Sequence, residues 1–299
     1  MTKLLVTGLT GHSGKWFLKA AEENNYNGEI HAIIRPTSDT NLIDKSPLNI
    51  IKHIGDLTDK DFLLSVTKNI DTVLHIASIN NSLEIIEAAV QNNVDWFIGV
   101  HTTGMFSEFK VASEGYINIE NEIKEKYVGK INITLLRPTM IYGSSMDHNM
   151  FKLVKFVDKS PVFPMFGNGK NLMQPVHAKD LGYAYYNVLI RPEITKNKDY
   201  NLSGKKAIKY KELVQTVAKE LNTKITFIHI PISLSYYAAS IGEKLPGFPI
   251  NGEQVLRMKE DKKFGHINAK NDFGYNPMSF EEGIKNEVKE YKGLNGRER

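Results

Sequence analysis

Three glycines near the amino terminus have the spacing of a phosphate-binding turn. They are Gly8, Gly11 and Gly14, in the stretch TGLTGHSG at residues 7–14, which lies between an apolar run and a segment of helical periodicity. In that context the first glycine permits a tight turn, the second lets the backbone approach a pyrophosphate, and the third lets the helix pack closely on the strand. The amino terminus of the helix supplies N–H groups and a positive dipole to the phosphates. The pattern predicts a dinucleotide site, with a purely structural turn as the alternative.

The residue at the end of the second apolar run indicates which dinucleotide is bound. A site specific for the unphosphorylated cofactor usually has an acidic residue there, which binds both ribose hydroxyls. This chain instead has Arg35, followed by Pro36, Thr37 and Ser38. A guanidinium can pair bidentately with a 2′-phosphate, and the two hydroxyls can add donors. We therefore expect NADP(H) to be preferred, with NAD(H) as the alternative cofactor and a surface position as the alternative role of Arg35.

Short apolar runs alternate with segments of helical period through the first half of the chain. Strands are predicted at Leu4–Thr7, Ile30–Ile34, Ile50–Ile54, Thr72–Ile76, Trp96–Val100 and Ile133–Leu136, and helices at Gly14–Glu23, Asp59–Thr67, Ser82–Asn92 and Ala112–Lys126. This alternation predicts right-handed βαβ units and a parallel sheet with helices on both faces. The nearly continuous apolar runs suit strands that are buried on both faces. The predicted fold class is therefore α/β.

Composition excludes several classes of function. The chain has 299 residues, of which 41% are hydrophobic and 24% charged, with a net charge of +4, as is typical of a globular protein. Its basic residues are interleaved with acidic ones, so a nucleic-acid partner is not expected. The absence of Cys excludes disulfides, zinc–thiolate sites and thiol nucleophiles, and no metal is expected. Because we find neither a signal-type apolar stretch nor a run of roughly 18 apolar residues, we expect a cytoplasmic protein without a membrane partner.

Further motifs follow the glycine turn along the chain. They are Gly55-Asp56-Leu57-Thr58, His75-x-Ala77, Leu136-Arg137-Pro138-x-x-Ile141-Tyr142-Gly143, Gln174-Pro175-Val176-His177-x-x-Asp180 and Asp272-Phe273-Gly274-Tyr275-x-Pro277. Together with the glycines, they resemble the short-chain dehydrogenase/reductase superfamily, in its extended branch of NAD(P)-dependent epimerases, dehydratases and reductases. The resemblance implies a Rossmann-type doubly wound parallel sheet. It does not specify a substrate.

The resemblance also implies which residues contact the ligands. Cofactor contacts are expected at Gly8, Thr10, Gly11, His12, Ser13, Gly14, Arg35, Asp56, Leu57, Ala77, Ser78 and Pro138. Substrate contacts are expected at Tyr142, Met165 and Gln174.

The catalytic residues are where the chain departs from this superfamily. There, a Ser or Thr after strand five orients the substrate carbonyl or hydroxyl, a Tyr transfers the proton, and a Lys four residues later lowers the pKa of that Tyr. Here Thr102 and Thr103 supply hydroxyls, but no Tyr-x-x-x-Lys occurs in the helical segment that follows. His101 directly follows the predicted strand and is a second candidate acid or base, with a structural role as the alternative.

Two alignments of the helical segment are open. If Tyr116 is the superfamily Tyr, then Glu120 stands where Lys belongs, and a carboxylate there would oppose a phenolate. Alternatively, Glu120 matches the Glu that the superfamily often has four residues after its Lys. Tyr116 then takes the Lys position, Ala112 takes the Tyr position, and the usual proton donor is missing. We favour the second alignment.

The resemblance further implies two interleaved domains. Residues 1–144 with 174–203 form the NAD(P)-binding domain, residues 145–173 with 204–292 form a small discontinuous C-terminal α/β substrate domain, and residues 293–299 are a frayed tail. In the second domain we predict helices at Ala207–Leu221 and Ser233–Lys244, a strand at Ile225–Ile230, and a connector at Pro246–Pro249.

Three functions agree with these features to different degrees. We favour an NADP(H)-dependent oxidoreductase or isomerase of the epimerase/dehydratase-like type, acting on a small polar or carbonyl substrate with a non-standard catalytic site. A non-catalytic NADP(H)-binding sensor or assembly protein is the alternative. A nucleotide-sugar epimerase or dehydratase is disfavoured, because that chemistry relies on the Tyr-Lys pair and we find no clear basic cluster for a second pyrophosphate. The expected partner is a small-molecule substrate, and a homodimer is left open.

Overall fold

The computed structural model describes residues 2–109, 113–147, 149–242, 252–294 and 296. Its strands are β1 (Lys3–Thr7), β2 (Glu29–Ile34), β3 (Ile50–Ile54), β4 (Thr72–His75), β5 (Trp96–Val100), β6 (Asn132–Pro138), β7 (Ile141–Tyr142), β8 (Val162–Phe166), β9 (Leu172–Met173), β10 (Val176–His177), β11 (Asp199–Leu202), β12 (Ile208–Lys209) and β13 (Thr226–Ile230). Its helices are α1 (Gly14–Glu23), α2 (Asn41–Asp44), α3 (Lys60–Val66), α4 (Ser82–Gln91), α5 (Glu114–Tyr127), α6 (Met150–Lys159), α7 (Ala178–Leu189), α8 (Pro192–Thr195), α9 (Tyr210–Leu221), α10 (Ile232–Gly242), α11 (Gly252–Leu256), α12 (Ile267–Phe273) and α13 (Phe280–Leu294). Short 3₁₀ turns cover Ile79–Asn81, Thr103–Phe106 and Arg257–Lys259.

A parallel sheet is the frame on which the described residues are arranged. Its seven strands have the order β11-β6-β5-β4-β1-β2-β3, with β3 at one edge. Every neighbouring pair is parallel, so the carboxyl ends of all the strands lie along one edge of the sheet. The chain changes direction across the sheet between β1 and β4, which is where doubly wound sheets bind ligands. The predicted Rossmann-type fold is confirmed, and all six strands predicted in the first half are present.

Burial on both faces explains why the central strands are so apolar. Every residue of β4 and β5 is buried. One face packs on α1 and α7, which approach closely because a Cβ atom at Gly182 would lie 2.4 Å from the backbone of α1. The other face packs on α3, α4 and α5. The helices therefore hold the carboxyl edge of the sheet in a fixed shape.

A separate apolar cluster joins α6, α9 and α13. Beside it, β8 pairs with β13 in parallel and β9 pairs with β12 in antiparallel orientation. The helix predicted at Ala207–Leu221 begins later, at Tyr210, because Ile208 and Lys209 pair with β9. The strand predicted at Ile225–Ile230 is present as β13, and the helix predicted from Ser233 is present as α10.

Some predictions for the carboxyl-terminal part fall outside the described residues. Lys244 and the connector Pro246–Pro249 lie there, as do residues 295 and 297–299. Helix α13 extends through Leu294, so it includes the first two residues of the predicted tail. The predicted domain boundaries stay predictions. Within the described ranges, no helix is both long and apolar enough to cross a membrane.

A buried pair of carboxyl groups joins α13 to the loop after β7. Glu287 is 0% exposed and Asp147 is 7% exposed. Glu287 accepts a hydrogen bond from the Gly143 backbone N–H at 2.9 Å. Burial, together with the nearby Asp147 carboxyl group, raises the pKa of Glu287 to about 9. The folded protein therefore holds a proton that the unfolded chain, with a Glu pKa of 4.5, releases at neutral pH.

This proton makes stability depend on pH. Because the folded-state pKa is the higher one, the free energy of unfolding falls as pH rises between the unfolded and folded values. Glu287→Gln keeps an acceptor for Gly143 and removes the ionisable group. We expect this variant to match the wild type near pH 4.5 and to be more stable by about 3–5 kcal/mol at pH 8. Urea unfolding from pH 4.5 to 8.5 measures this, with the exposed Glu281→Gln as control. The same pH dependence in wild type and Glu287→Gln would contradict the prediction.

Candidate active site

The glycine turn has the geometry that a dinucleotide requires. Gly8 directly follows β1 with φ of +73°, and a Cβ atom there would lie 2.9 Å from the Ala77 backbone nitrogen. A Cβ atom at Gly14 would lie 2.1 Å from the Gly8 carbonyl oxygen. These are contacts that no side chain can make without moving the backbone. The turn is therefore shaped as a cradle of bare backbone at the switch point of the sheet.

The start of α1 suits an anion. No acidic side chain lies in its first turn, and the Ser13 hydroxyl does not cap it. The N–H groups of Lys15 and Trp16 already donate to the Gly11 and Ser13 carbonyls, both at 3.1 Å, so the helix start attracts an anion chiefly through the positive end of its dipole, beside the turn that also carries Thr10 and His12. The predicted residues of this loop therefore lie together around one candidate phosphate position.

Arg35 and Asp56 follow β2 and β3 at the same edge of the sheet. Both are exposed, and Asp56 accepts hydrogen bonds from the backbone and hydroxyl of Thr58 at 2.8 and 2.7 Å. These bonds, and to a smaller degree the charge of Arg35, hold the pKa of Asp56 below its ordinary value. Leu57 is half-buried beside them. The structure thus places Arg35, Asp56 and Leu57 together at the carboxyl edge of the sheet, where the adenosine part of the cofactor was expected.

A chain of hydrogen bonds fixes the end of β4 beside the glycine turn. The Thr7 hydroxyl accepts from the Ala77 backbone N–H at 3.2 Å and lies 2.8 Å from His75 Nδ1, so it donates to that nitrogen. His75 Nε2 then carries the hydrogen and donates to the Ser78 carbonyl at 3.0 Å. Burial lowers the pKa of His75 to about 4, so the ring stays neutral. The position of Ala77 and Ser78 follows from Thr7 and His75, roles that the apolar pattern of these strands did not indicate.

Four of the predicted catalytic and substrate residues line one cleft. It has a volume of about 880 Å³ and includes Thr102, Thr103, Tyr116 and Gln174. The Thr102 hydroxyl oxygen accepts from the Gly104 N–H at 3.0 Å, which leaves its hydrogen to donate. The Thr103 hydroxyl donates to the Pro138 carbonyl at 3.1 Å, which leaves its oxygen to accept. The two threonines therefore offer opposite hydrogen-bonding ends.

His101, in contrast, does not line this cleft. Its ring is buried, with Nδ1 3.2 Å from Glu120 and Nε2 3.2 Å from the Ser82 hydroxyl. Arg137 donates to both carboxylate oxygens of Glu120, at 2.6 to 3.0 Å, and to Asp199 at 2.7 Å. Burial alone would raise the pKa of Glu120, but the hydrogen bonds from His101 and Arg137 outweigh it and lower that pKa. The structure thus corrects the proposal of His101 as acid, because both ring nitrogens serve this buried network.

The part of the chain from β1 to β5 matches the model of a known protein family. Residues 4–100 match the model of the NAD dependent epimerase/dehydratase family. The match includes the glycine turn and the end of β4, so the family resemblance inferred from the motifs is confirmed. The chain matches none of the curated proteins with which it was compared.

Solved structures share the fold over the whole chain. The structure of gox2253 has a TM-score of 0.81 at 19% identity, with 100% of both chains covered. UDP-glucose 4-epimerase from Thermotoga maritima, solved with UDP-glucose, has a TM-score of 0.74 at 17% identity, covering 98% of this chain and 100% of that one. dTDP-glucose 4,6-dehydratase from Bacillus anthracis, solved with NAD, has a TM-score of 0.74 at 16% identity, covering 99% and 98%. At such identities the likeness shows the epimerase/dehydratase fold.

The helix α5 bears on the two alignments with the family pattern. Tyr116 and Glu120 are four residues apart and so share one face of the helix, with Tyr116 at the cleft and Glu120 in the buried network. Arg137 compensates the Glu120 charge, so the expected electrostatic opposition to a phenolate at Tyr116 is offset. Ala112, which takes the Tyr position in the favoured alignment, lies outside the described residues.

Tyr142 and Met165, predicted to contact substrate, do not line the cleft. Both are buried, at 1% and 0% exposure, in the apolar cluster of α6, α9 and α13. The Tyr142 ring packs against His177 with centroids 5.2 Å apart. Gln174 does line the cleft, but its amide donates to Ser203 and Gly204. These side chains therefore hold the walls together rather than face a ligand.

Three basic side chains in the cleft were missed by the sequence analysis. Arg257, Lys259 and Lys262 line the wall opposite Thr102, on the 3₁₀ turn after α11 and the segment that follows. Three carboxylates, Glu108, Glu260 and Asp261, line the same cleft, so these cations do not form the basic cluster that a second pyrophosphate would need. The signal was a run of cations spaced two and three residues apart, which reads equally well as a solvated surface.

The glycine cradle makes a prediction about binding. Gly14→Ala places a Cβ atom against the Gly8 carbonyl and must displace the turn. We expect the affinity for NADPH and NADH to fall at least about 30-fold, or 2 kcal/mol, by calorimetry on folded protein. The matched control is Gly115→Ala, where a Cβ atom meets nothing within 4 Å. Unchanged affinity in Gly14→Ala would mean that the turn is only structural.

Proposed function

We propose that this protein is an NADP(H)-dependent oxidoreductase or isomerase of the epimerase/dehydratase-like type, acting on a small polar or carbonyl substrate. One observation carries the proposal. The cleft with Thr102, Thr103 and Tyr116 opens at the carboxyl edge of the sheet that also carries the glycine cradle. Ligands of doubly wound sheets bind at that edge, so cofactor and substrate would meet there.

The cofactor is supported by the cradle and by the relatives. Structures with the same fold were solved with NAD, which supports a nicotinamide dinucleotide here. When bound, such a cofactor supplies hydride transfer. Residues that would hold it are Gly8, Thr10, Gly11, His12, Ser13, Gly14, Arg35, Asp56, Leu57, Ala77, Ser78 and Pro138. The exposed Arg35, with no acidic residue at the end of β2, supports a preference for the 2′-phosphorylated form.

The substrate end supports a polar or carbonyl ligand. Thr102 has a hydroxyl hydrogen to donate to a substrate oxygen, and Tyr116 lies in the same cavity. Met140, Met173 and Phe264 line it as well and make part of its surface apolar. The UDP-glucose and UDP-glucuronic acid in structures of the same fold fit a polar ligand, and the cleft here is lined by both cations and carboxylates.

A non-catalytic NADP(H)-binding sensor or assembly protein is the second candidate. It is favoured by the absence of Tyr-x-x-x-Lys in the sequence of α5 and the residues before it. A screen of aldehydes, ketones, quinones and enones with NADPH separates the two. Turnover of any of these classes supports the enzyme, and tight NADPH binding without turnover supports the sensor.

Arg35 generates a prediction about cofactor choice. We expect NADPH to bind more tightly than NADH, and Arg35→Ala to weaken NADPH alone by about 1.5–3 kcal/mol, since a charge-assisted hydrogen bond is lost. Fluorescence titration measures both affinities. Lys45→Ala, which removes another exposed cation, is the control. Equal affinities of the wild type for both cofactors would count against the preference.

Tyr116 generates a prediction about proton transfer. If it takes the Lys position of the family pattern, Tyr116→Phe should lower kcat by less than about tenfold and act mainly on cofactor affinity. Steady-state kinetics with a compound from the screen tests this, with Tyr127→Phe on the same helix as control. A loss in kcat of more than about a thousandfold, at unchanged cofactor affinity, would instead identify Tyr116 as the proton donor.

A further inference from the structure

Residues 260–264 form one wall of the cleft, and contacts at Glu260 and Phe264 hold this segment in place at both ends. Glu260 accepts hydrogen bonds from the Ser107 hydroxyl at 2.8 Å and the Glu108 N–H at 2.7 Å. Four residues on, the Phe264 ring lies 5.7 Å from Phe106, and its N–H donates to Gln174 at 2.8 Å. The Glu260 hydrogen bonds and the Phe264–Phe106 ring contact both reach the turn at Thr103–Phe106 or the residues directly after it. The segment is therefore held against this turn and lines the same cleft as the threonines.

Lys262 lies midway along the segment, between Glu260 and Phe264. Its backbone N–H donates to the Leu172 carbonyl at 2.7 Å, which sets the segment beside β9. Exposure alternates along the segment, with Asp261 and Lys263 exposed and Lys262 and Phe264 half-buried. Lys262 and Phe264 both line the cleft that contains Thr102 and Tyr116, as the exposed Asp261 does at its outer part, whereas Lys263 does not.

We infer that Lys262 is the proton donor of this cleft, in place of the Tyr-x-x-x-Lys relay that the chain lacks. The inference rests on the proposed function. A reduced nicotinamide cofactor held by the glycine cradle would supply a hydride to the carbon of a carbonyl substrate, and the C=O double bond would become a single bond to oxygen. The Lys262 ammonium gives that oxygen its proton, and water reprotonates the amine. In the oxidation direction the neutral amine takes the proton from the hydroxyl.

The surroundings of Lys262 suit this exchange. Burial and the neighbouring Arg257 lower its pKa, while Glu260 acts in the opposite direction. Both oxygens of Glu260 already accept hydrogen bonds from Ser107, so that carboxylate is shared with the opposite wall. A general acid works best with a pKa near the operating pH, and a lysine reaches that range by burial beside another cation. The charged and titratable groups that line the same cavity are Glu108, Tyr116, Arg257, Lys259, Glu260, Asp261 and Lys262.

The first arm of the test needs neither substrate nor cofactor. Pulses of acetic anhydride from pH 6 to 11, followed by peptide mass spectrometry, give the apparent pKa of each lysine in the folded protein. We expect Lys262 to become reactive at a lower pH than its exposed neighbour Lys263, and saturating NADPH to slow labelling of Lys262 alone. The same pH dependence for both lysines would overturn the inference.

The second arm uses compounds that turn over in the NADPH screen. We expect Lys262→Met to lower kcat by about 100-fold or more, with NADPH affinity within about twofold of the wild type. Lys262→Arg keeps the charge but cannot release a proton, so it should lose as much activity and lose the basic limb of the pH profile. Lys263→Met is the matched control and should behave as the wild type. Retained kcat in Lys262→Met or Lys262→Arg would overturn the inference.

The two arms separate this inference from the proposed function. If the wild type binds neither NADPH nor NADH, the proposed function fails, and the role of Lys262 as donor fails with it whatever its labelling shows. If the cofactor binds and turnover occurs while Lys262→Met remains active, the function stands and only the donor is wrong. If the cofactor binds and no compound turns over, the non-catalytic alternative is supported and the donor role of Lys262 is overturned together with the enzyme.

Discussion

The buried pairing of Glu120 with Arg137 is the interaction on which the cleft depends. It joins α5 to β6, and through His101 and Asp199 it reaches the end of β5 and the start of β11. Taking these charges out of water is costly, and the cost is offset only because Arg137 donates to both carboxylate oxygens. Loss of either partner would leave a buried charge without compensation. Tyr116 and Thr102 therefore owe their positions to a network in which neither takes part.

The sheet could be predicted from sequence, because strands buried on both faces are almost wholly apolar. The predicted strand bounds agree with β1 to β6 to within a residue or two. The predicted bounds of the helices were less accurate where strand pairing competed with helical periodicity. At Ile208 the apolar side chain continues the pattern of α9, but the backbone pairs with β9. The local sequence pattern indicates which face of an element is buried. It does not indicate which strand the backbone pairs with.

The candidate site could be predicted only where backbone shape imposes a residue type. The glycines of the turn are such positions, because any Cβ atom would collide with backbone. Glu120 and His101 are the opposite case, since a polar residue on a helix or after a strand indicates surface or chemistry until its partners are known. The basic side chains of the cleft come from residues 257–262, about 150 positions from the threonines that they face, and no local pattern joins the two. Contacts at such separations are set by the fold as a whole.

The edge strand β3 has a consequence for how two copies of this protein can associate. Ile54 and Ile51 are 67% and 38% exposed, and an exposed apolar edge invites another strand to add to the sheet. Lys52 stands between them, with its ammonium 2.6 Å from Asp44. A strand docking there would have to strip water from that ion pair at the centre of the new ladder. Pairing of a strand from a second copy with β3 is therefore disfavoured.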